Sequence, residues 1–129
     1  MGIDKNINIL VVDDFSATCR TMKKILGQLG YKNVEQAHNG EQALEKIKTK
    51  KFGLIISDWY MEPVNGMQLL KELRQPEEDN DHVPFMMVTA ETSAKKIQKV
   101  TEAKADAYIV KPFKSKTFKN KIVKLLAGE

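Results

Sequence analysis

The stretch that most limits what this chain can become is Leu54-Ile55-Ile56-Ser57-Asp58-Trp59, a short apolar run that ends in a carboxylate. It is rich in β-branched residues and bounded by Lys50-Lys51-Phe52-Gly53 and by Glu62-Pro63. Such a run reads as a strand buried on both faces of a parallel sheet. Asp58 then emerges at its carboxyl end. Open α/β sheets keep their working crevice outside those ends, so an acid placed there is a candidate nucleophile or metal ligand. Its bland counterpart, a turn former or helix cap, is the commoner use of a single such acid.

Four more runs share that character. Ile7 to Val12 stops at Asp13-Asp14, Val34 to Ala37 is a short second strand, Pro84 to Thr89 a fourth and Ala107 to Val110 a fifth. Between them the apolar spacing turns helical. Phe15, Thr18, Met22, Ile25, Leu26 and Leu29 fall on one face, with Gly30 as a stop. Gly40 to Lys48 turns Ala43, Leu44 and Ile47 inward, and Gly66 to Arg74 carries Leu69, Leu70 and Leu73. Ser93 opens a helix with Ile97 and Val100, and Phe118, Ile122, Val123, Leu125 and Leu126 mark the last helix. Pro76 to His82 is acidic and polar, the composition of an exposed loop.

Five strands alternating with five helices through short connections predict a flavodoxin-like, doubly wound α/β fold. Its parallel sheet has the order 2-1-3-4-5 and a switch point between strands one and three. Asp13, Asp14 and Asp58 then gather at one rim, with Thr89 and Lys111 arriving from strands four and five. At 129 residues the whole chain, 1–129, is one domain with a proper core. No apolar stretch approaches the roughly 20 residues that span a bilayer, and the first residues lack a signal-peptide pattern, so the expected location is the cytoplasm. Met1-Gly2 opens like a myristoylation signal, but Asn6 stands where that signal wants Ser or Thr. The single Cys19 is a small core residue.

Three converging carboxylates repel one another unless a cation joins them. All-oxygen ligands without a His or Cys cluster select Mg²⁺ or Mn²⁺ over zinc. A metal there, the Lys111 amine, the Thr89 hydroxyl and a backbone amide such as that of Ala90 would neutralise a phosphoryl group arriving at Asp58. The implied chemistry is formation and hydrolysis of an aspartyl phosphate. Each part has a plainer reading: Asp13-Asp14 as helix-terminus charges, Thr89-Ala90-Glu91 as a strand end, Lys111-Pro112 as a turn. Their conjunction at the ends of four strands favours the chemical one.

In order and spacing, Val11-Val12-Asp13-Asp14, Ser57-Asp58-Trp59, Val88-Thr89-Ala90-Glu91 and Val110-Lys111-Pro112-Phe113 resemble the receiver domains of bacterial two-component response regulators. The resemblance covers nearly the whole chain and is strongest to CheY-type chemotaxis regulators. It implies that Asp58 accepts a phosphoryl group from a histidine kinase of the CheA kind. Asp13, Asp14, Asp58 and the carbonyl of Tyr60 would hold Mg²⁺. Thr89, Ala90 and Lys111 would contact the phosphoryl oxygens, and Lys111-Pro112 would be cis. Thr89 and Tyr108 would form the switch, Tyr108 rotating inward as the Thr89 hydroxyl moves toward phosphate. It also implies a face of helix four, strand five and helix five that binds a partner, in chemotaxis the flagellar motor switch.

That face carries the charge. The chain totals +4, yet ten lysines from Lys95 to Lys124 meet only Glu102 and Asp106, a local +8 that leaves −4 for the remainder. Lys95, Lys99, Tyr108, Lys114 and Lys121 are the candidate partner face, suited to an acidic peptide or helix; a solvated lysine surface without a steering role is the alternative. Nucleic acid is disfavoured because no recognition motif or interleaved aromatics accompany the lysines. The chain is expected to be a monomer, with no output domain following Leu126 and a phosphatase as a further possible partner.

The sequence departs from the family after the acceptor. Tyr60 replaces the usual Asn of chemotaxis members, and Met61-Glu62 stands where Met-Pro is usual, with proline displaced to Pro63. Either the Tyr60 ring screens Asp58 from water or it lies flat on the surface; Glu62 either adds charge near the metal or points into water. Alternatives to a motor effector are a phosphate sink or relay receiver for a shared kinase, and a small aspartyl-phosphate phosphatase. The latter resembles haloacid dehalogenase-like hydrolases, which need a second Asp where this chain has Tyr60. A flavin or nucleotide carrier is disfavoured because Asp13-Asp14 would repel phosphate.

Overall fold

The computed structural model describes residues 4–76 and 82–127. The chain alternates strand and helix throughout: β1 (Asn8–Val12), α1 (Ser16–Gln28), β2 (Asn33–Ala37), α2 (Gly40–Thr49) and β3 (Leu54–Ser57). It continues through α3 (Gly66–Leu73), β4 (Phe85–Thr89), α4 (Ala94–Glu102), β5 (Ala107–Val110) and α5 (Ser115–Ala127). The five strands form one parallel sheet in the order β2-β1-β3-β4-β5, as expected.

The apolar runs are continuous because both faces of the sheet are covered. Side chains alternate across a strand. Ile9, Val11, Leu54, Ile56, Met86 and Val88 therefore pack with Cys19, Met22, Ile25 and Leu26 of α1 and with Phe118 and Ile122 of α5. Leu10, Val12, Ile55, Phe85 and Met87 point the other way, onto Ala43 and Ile47 of α2, Leu69, Leu70 and Leu73 of α3, and Val100 of α4. Each fully buried Leu, Ile or Val side chain stabilises the fold by about 2 kcal/mol relative to its exposed state.

Local chemistry sets the helix boundaries. Asn65 and Gln68 form a reciprocal capping box at the start of α3, with both bonds at 2.8 Å. The Asn39 and Ser93 side chains cap α2 and α4. Gly30, at φ 99°, makes the left-handed turn just after α1.

Two apolar residues expected to face inward do not. Phe15 is 67% exposed because it is the N-cap of α1, extended at φ −100° and ψ 106°, so the helical spacing does not reach it. Val123 is 45% exposed, since Phe118 and Ile122 already define the buried stripe of α5. Of the acidic loop expected from Pro76 to His82, residues 77–81 lie outside the described residues; Pro76 and His82 are exposed.

Candidate functional site

Register assembles the site. Val12 is paired with Ser57, so Asp13 and Asp58, each the next residue, leave adjacent strands side by side. The Asp58 amide donates to the Val12 carbonyl at 2.9 Å, which holds the turn against β1. At the other side Thr89 is paired with Val110, and the Lys111 amide donates to the Thr89 carbonyl at 2.8 Å. The four strand ends thus deliver two acids, a hydroxyl and an amine to one rim.

Asp13, Asp14 and Asp58 each offer a carboxylate oxygen within 4.8 Å of the others. Asp13 and Asp58 are buried, whereas Asp14 is exposed. The Asp13 Oδ1 accepts the Phe15 amide at 2.9 Å, so one oxygen is tied to the start of α1 and the other faces the cluster. There the Lys111 ammonium donates to Asp13 Oδ2 at 2.7 Å and stands 3.5 Å from Asp58 Oδ2. The remaining Asp58 oxygen, Oδ1, accepts the Trp59 amide at 2.8 Å.

Burial is the main force on Asp58 and raises its carboxyl above the usual range; Lys111 opposes this and Asp13 adds to it. Burial alone would lower the Lys111 ammonium, but its hydrogen bond to Asp13 and the charge of Asp58 outweigh it and hold Lys111 above its ordinary value. One ammonium thus stands among three carboxylates. The excess of negative charge, and a donor set made wholly of oxygen, fit a hard divalent cation such as Mg²⁺.

The backbone beside Asp58 is fixed from behind. The Gly66 amide donates to the Trp59 carbonyl at 2.7 Å, and a Cβ at position 66 would run into the Asp58 carbonyl oxygen. Only glycine lets the first turn of α3 approach the acceptor so closely.

Thr89 is fully buried, with its hydroxyl accepting the Glu91 amide at 3.4 Å. Ala90 is exposed and shares with Phe15, Thr18, Lys111, Pro112 and Phe113 a largely apolar groove of about 500 Å³. Lys111-Pro112 is cis, as the resemblance implied, and Glu62-Pro63 is cis as well. Tyr60 and Glu62 line a second recess with Asp14, Met61 and Asn65. The Tyr60 ring stacks on Trp59, with centroids 5.3 Å apart and planes 6° from parallel, and its hydroxyl donates to Glu91 Oε1 at 2.6 Å.

Tyr108 is half-buried, and its hydroxyl donates to the Glu91 carbonyl. With Lys114 and Lys121 it lines a recess of about 480 Å³ that also includes Val110 and Phe113. Lys95 and Lys99 are exposed on α4. Glu91 is the residue that sequence reasoning missed: the motif Thr89-Ala90-Glu91 was visible, but nothing in it signals a carboxylate joined to a phenol 31 positions away.

The model of the response regulator receiver domain matches residues 9–123. The chain belongs to that family. Among curated receiver proteins, chemotaxis protein CheY-3 of Vibrio cholerae is 40% identical over 123 residues, covering 95% of this chain and 94% of the relative. Chemotaxis protein CheY of Pseudomonas aeruginosa is 37% identical over 119 residues, with 92% and 95% covered. Among solved receivers, CheY4 of Vibrio cholerae superposes with a TM-score of 0.85 at 31% identity, covering 93% of this chain and 98% of that one. A CheY-like receiver protein of Methanospirillum hungatei gives 0.85 at 31%, with 95% of each chain covered. Receiver domains bind Mg²⁺ in an acidic pocket, and the corresponding cluster here is Asp13, Asp14 and Asp58. A histidine kinase on one side and a downstream target on the other follow from membership. No helix among the described residues is long and apolar enough to cross a membrane.

Proposed function

We propose that this receiver is a CheY-type chemotaxis regulator that carries its phosphoryl group on Asp58 and passes the signal on by protein contact. The observation that carries this is the convergence of three carboxylates whose oxygens lie within 4.8 Å of one another, two of them paired with the Lys111 ammonium. Asp58 Oδ2 is the attacking atom. It forms the new O–P bond as the P–N bond of the kinase phosphohistidine breaks, and the electron pair returns to the imidazole. Asp13, Asp14, Asp58 and the Tyr60 carbonyl would hold Mg²⁺, which supplies positive charge to the phosphoryl oxygens. Lys111, already 3.5 Å from Asp58 Oδ2, pairs with one phosphoryl oxygen, and the Thr89 hydroxyl and Ala90 amide serve the others. Water later attacks phosphorus, releases inorganic phosphate and restores the carboxylate. The protein catalyses its own modification and no other turnover. Tyr60, where a haloacid dehalogenase-like phosphatase needs an acid, already donates its hydroxyl to Glu91.

The output surface is the α4–β5–α5 face with Lys95, Lys99, Tyr108, Lys114 and Lys121. Its partner presents an acidic peptide or helix; by analogy with chemotaxis relatives this is the flagellar motor switch, met in the cytoplasm by a monomer. Trp59, the neighbour of Asp58, reports on the site. Its emission is expected to change on titration with Mg²⁺ and again with acetyl phosphate or beryllofluoride. Mass spectrometry should find one added phosphoryl group after acetyl phosphate, and Asp58→Asn should abolish the adduct. An adduct that survives Asp58→Asn, or none in the wild type, would refute the assignment.

A further inference from the structure

Glu91 is held from four directions. Its Oε1 accepts the Tyr60 hydroxyl at 2.6 Å and lies 3.4 Å from Lys96 Nζ. Its Oε2 accepts the amide of Ser93, the N-cap of α4, at 3.0 Å. Its own amide donates to the Thr89 hydroxyl at 3.4 Å, and its carbonyl accepts the Tyr108 hydroxyl. One residue in the loop after β4 therefore touches the acceptor loop, the Thr89 hydroxyl, the start of α4 and the aromatic ring of β5.

A loop glutamate ordinarily samples many rotamers, and this one, with its side chain only 15% exposed, does not have that freedom. Oε1 is engaged by the Tyr60 hydroxyl and the Lys96 ammonium, and Oε2 by the Ser93 amide, so both carboxylate oxygens are held in place. The donor is anchored too. Tyr60 is 49% exposed, yet its ring is stacked on buried Trp59 with the Lys96 ammonium 5.9 Å from its centroid. An anchored phenol thus fixes the Glu91 side chain, and the same residue's carbonyl is what Tyr108 binds.

We infer that Tyr60 is a positioning residue for Tyr108: by fixing Glu91 it holds the Tyr108 hydroxyl on the Glu91 carbonyl before any phosphoryl group arrives. The geometry stands by itself; its meaning as a preset switch rests on the function proposed above. Without the phenol, Glu91 is left to Lys96 and Ser93, and Tyr108 is held inward only when the Thr89 hydroxyl has been drawn to a phosphoryl oxygen. The resting and phosphorylated forms of this chain therefore present more similar α4–β5–α5 faces than they would with a non-donating residue at position 60.

The three tyrosines make ¹⁹F NMR of 3-fluorotyrosine protein a direct readout, with Tyr108→Phe assigning the Tyr108 signal. In the resting wild type that signal should be single and should move little on adding Mg²⁺ with beryllofluoride. In resting Tyr60→Phe it should shift or broaden by exchange, and beryllofluoride should return it toward the wild-type position. Glu91→Gln, which keeps an acceptor oxygen, should leave the signal near the wild-type position, and Glu91→Ala should reproduce Tyr60→Phe. A Tyr108 signal unmoved in resting Tyr60→Phe overturns the inference, whatever the phosphoryl chemistry. A wild type that takes no phosphoryl adduct by mass spectrometry refutes the receiver function instead and leaves the resting comparison intact.

Discussion

The strand-end rim and the α4–β5–α5 face both rely on charge, and they use it in opposite ways. At the rim, Asp13 and Asp58 are buried and Lys111 is largely so, with ion-pair separations of 2.7 and 3.5 Å. On the face, Lys95, Lys99, Lys114 and Lys121 are exposed. Buried charges interact strongly because little water screens them, and for the same reason they cost free energy to place. Exposed charges cost almost nothing and act over distance, within a Debye length of about 8 Å at physiological salt. Substitutions at the rim should therefore change stability, whereas those on the face should change it little.

The largest expected break in that contrast is Lys111→Met. It removes the ammonium paired with Asp13 and Asp58 and leaves those two carboxylates facing each other. A buried pair broken on one side costs roughly 3–5 kcal/mol; because the Lys111 side chain is 23% exposed, about 1–3 kcal/mol is expected here. Urea unfolding in metal-free buffer should show it, and Mg²⁺ should recover a larger share of stability in the variant than in the wild type. If the loss is no more than a few tenths of a kcal/mol, the rim is more solvated than its burial implies.

Asp58→Asn should move stability the other way. Burial raises the Asp58 carboxyl in the folded chain, so ionising it works against folding. The sign follows from which state holds the proton more tightly. The cost is fully present above the raised folded value, shrinks as pH falls through it, and is gone below the ordinary aspartate range. The variant should therefore have the higher Tm at neutral pH by a few degrees, which corresponds to about 1 kcal/mol in a domain of this size. That advantage should vanish in acid. Calorimetry at neutral and acid pH, without divalent cations, separates this from a pH-independent packing effect.

The rim was legible in the sequence for the reason that makes it costly. A parallel sheet covered on both faces demands continuous apolar runs, so a residue such as Asp58 or Lys111 at the end of a run advertises its place without any contact information. The order of the strands and the helix faces followed from the same periodicities. What could not be read is lateral and polar. The Tyr60–Glu91 hydrogen bond joins two loops 31 positions apart, and loops carry no period from which a partner might be inferred. Phe15 misled for a related reason, since its spacing matched the α1 stripe although its backbone had not yet entered the helix. The stacking of the Tyr60 ring on Trp59 likewise has no signature in the order of residues.

The smallest effect on the fold should come from the face, where the expected effect is on partner binding. Replacing Lys114 and Lys121 together by glutamate reverses two exposed charges that border the Tyr108 recess. Surface substitutions of this kind change stability by about 0.5 kcal/mol or less each. Binding of an acidic partner helix should nevertheless weaken, chiefly through a slower association rate, because exposed charges at the edge of an interface steer the encounter more than they hold the complex. In the wild type the association rate should fall as salt rises, and in the double variant most of that dependence should disappear. Stopped-flow association of phosphorylated protein with an acidic peptide, at low and physiological ionic strength, measures both slopes. Equal slopes would place the docking energy in the apolar walls formed by Val110 and Phe113, and would make the lysine excess a solvated surface rather than an address.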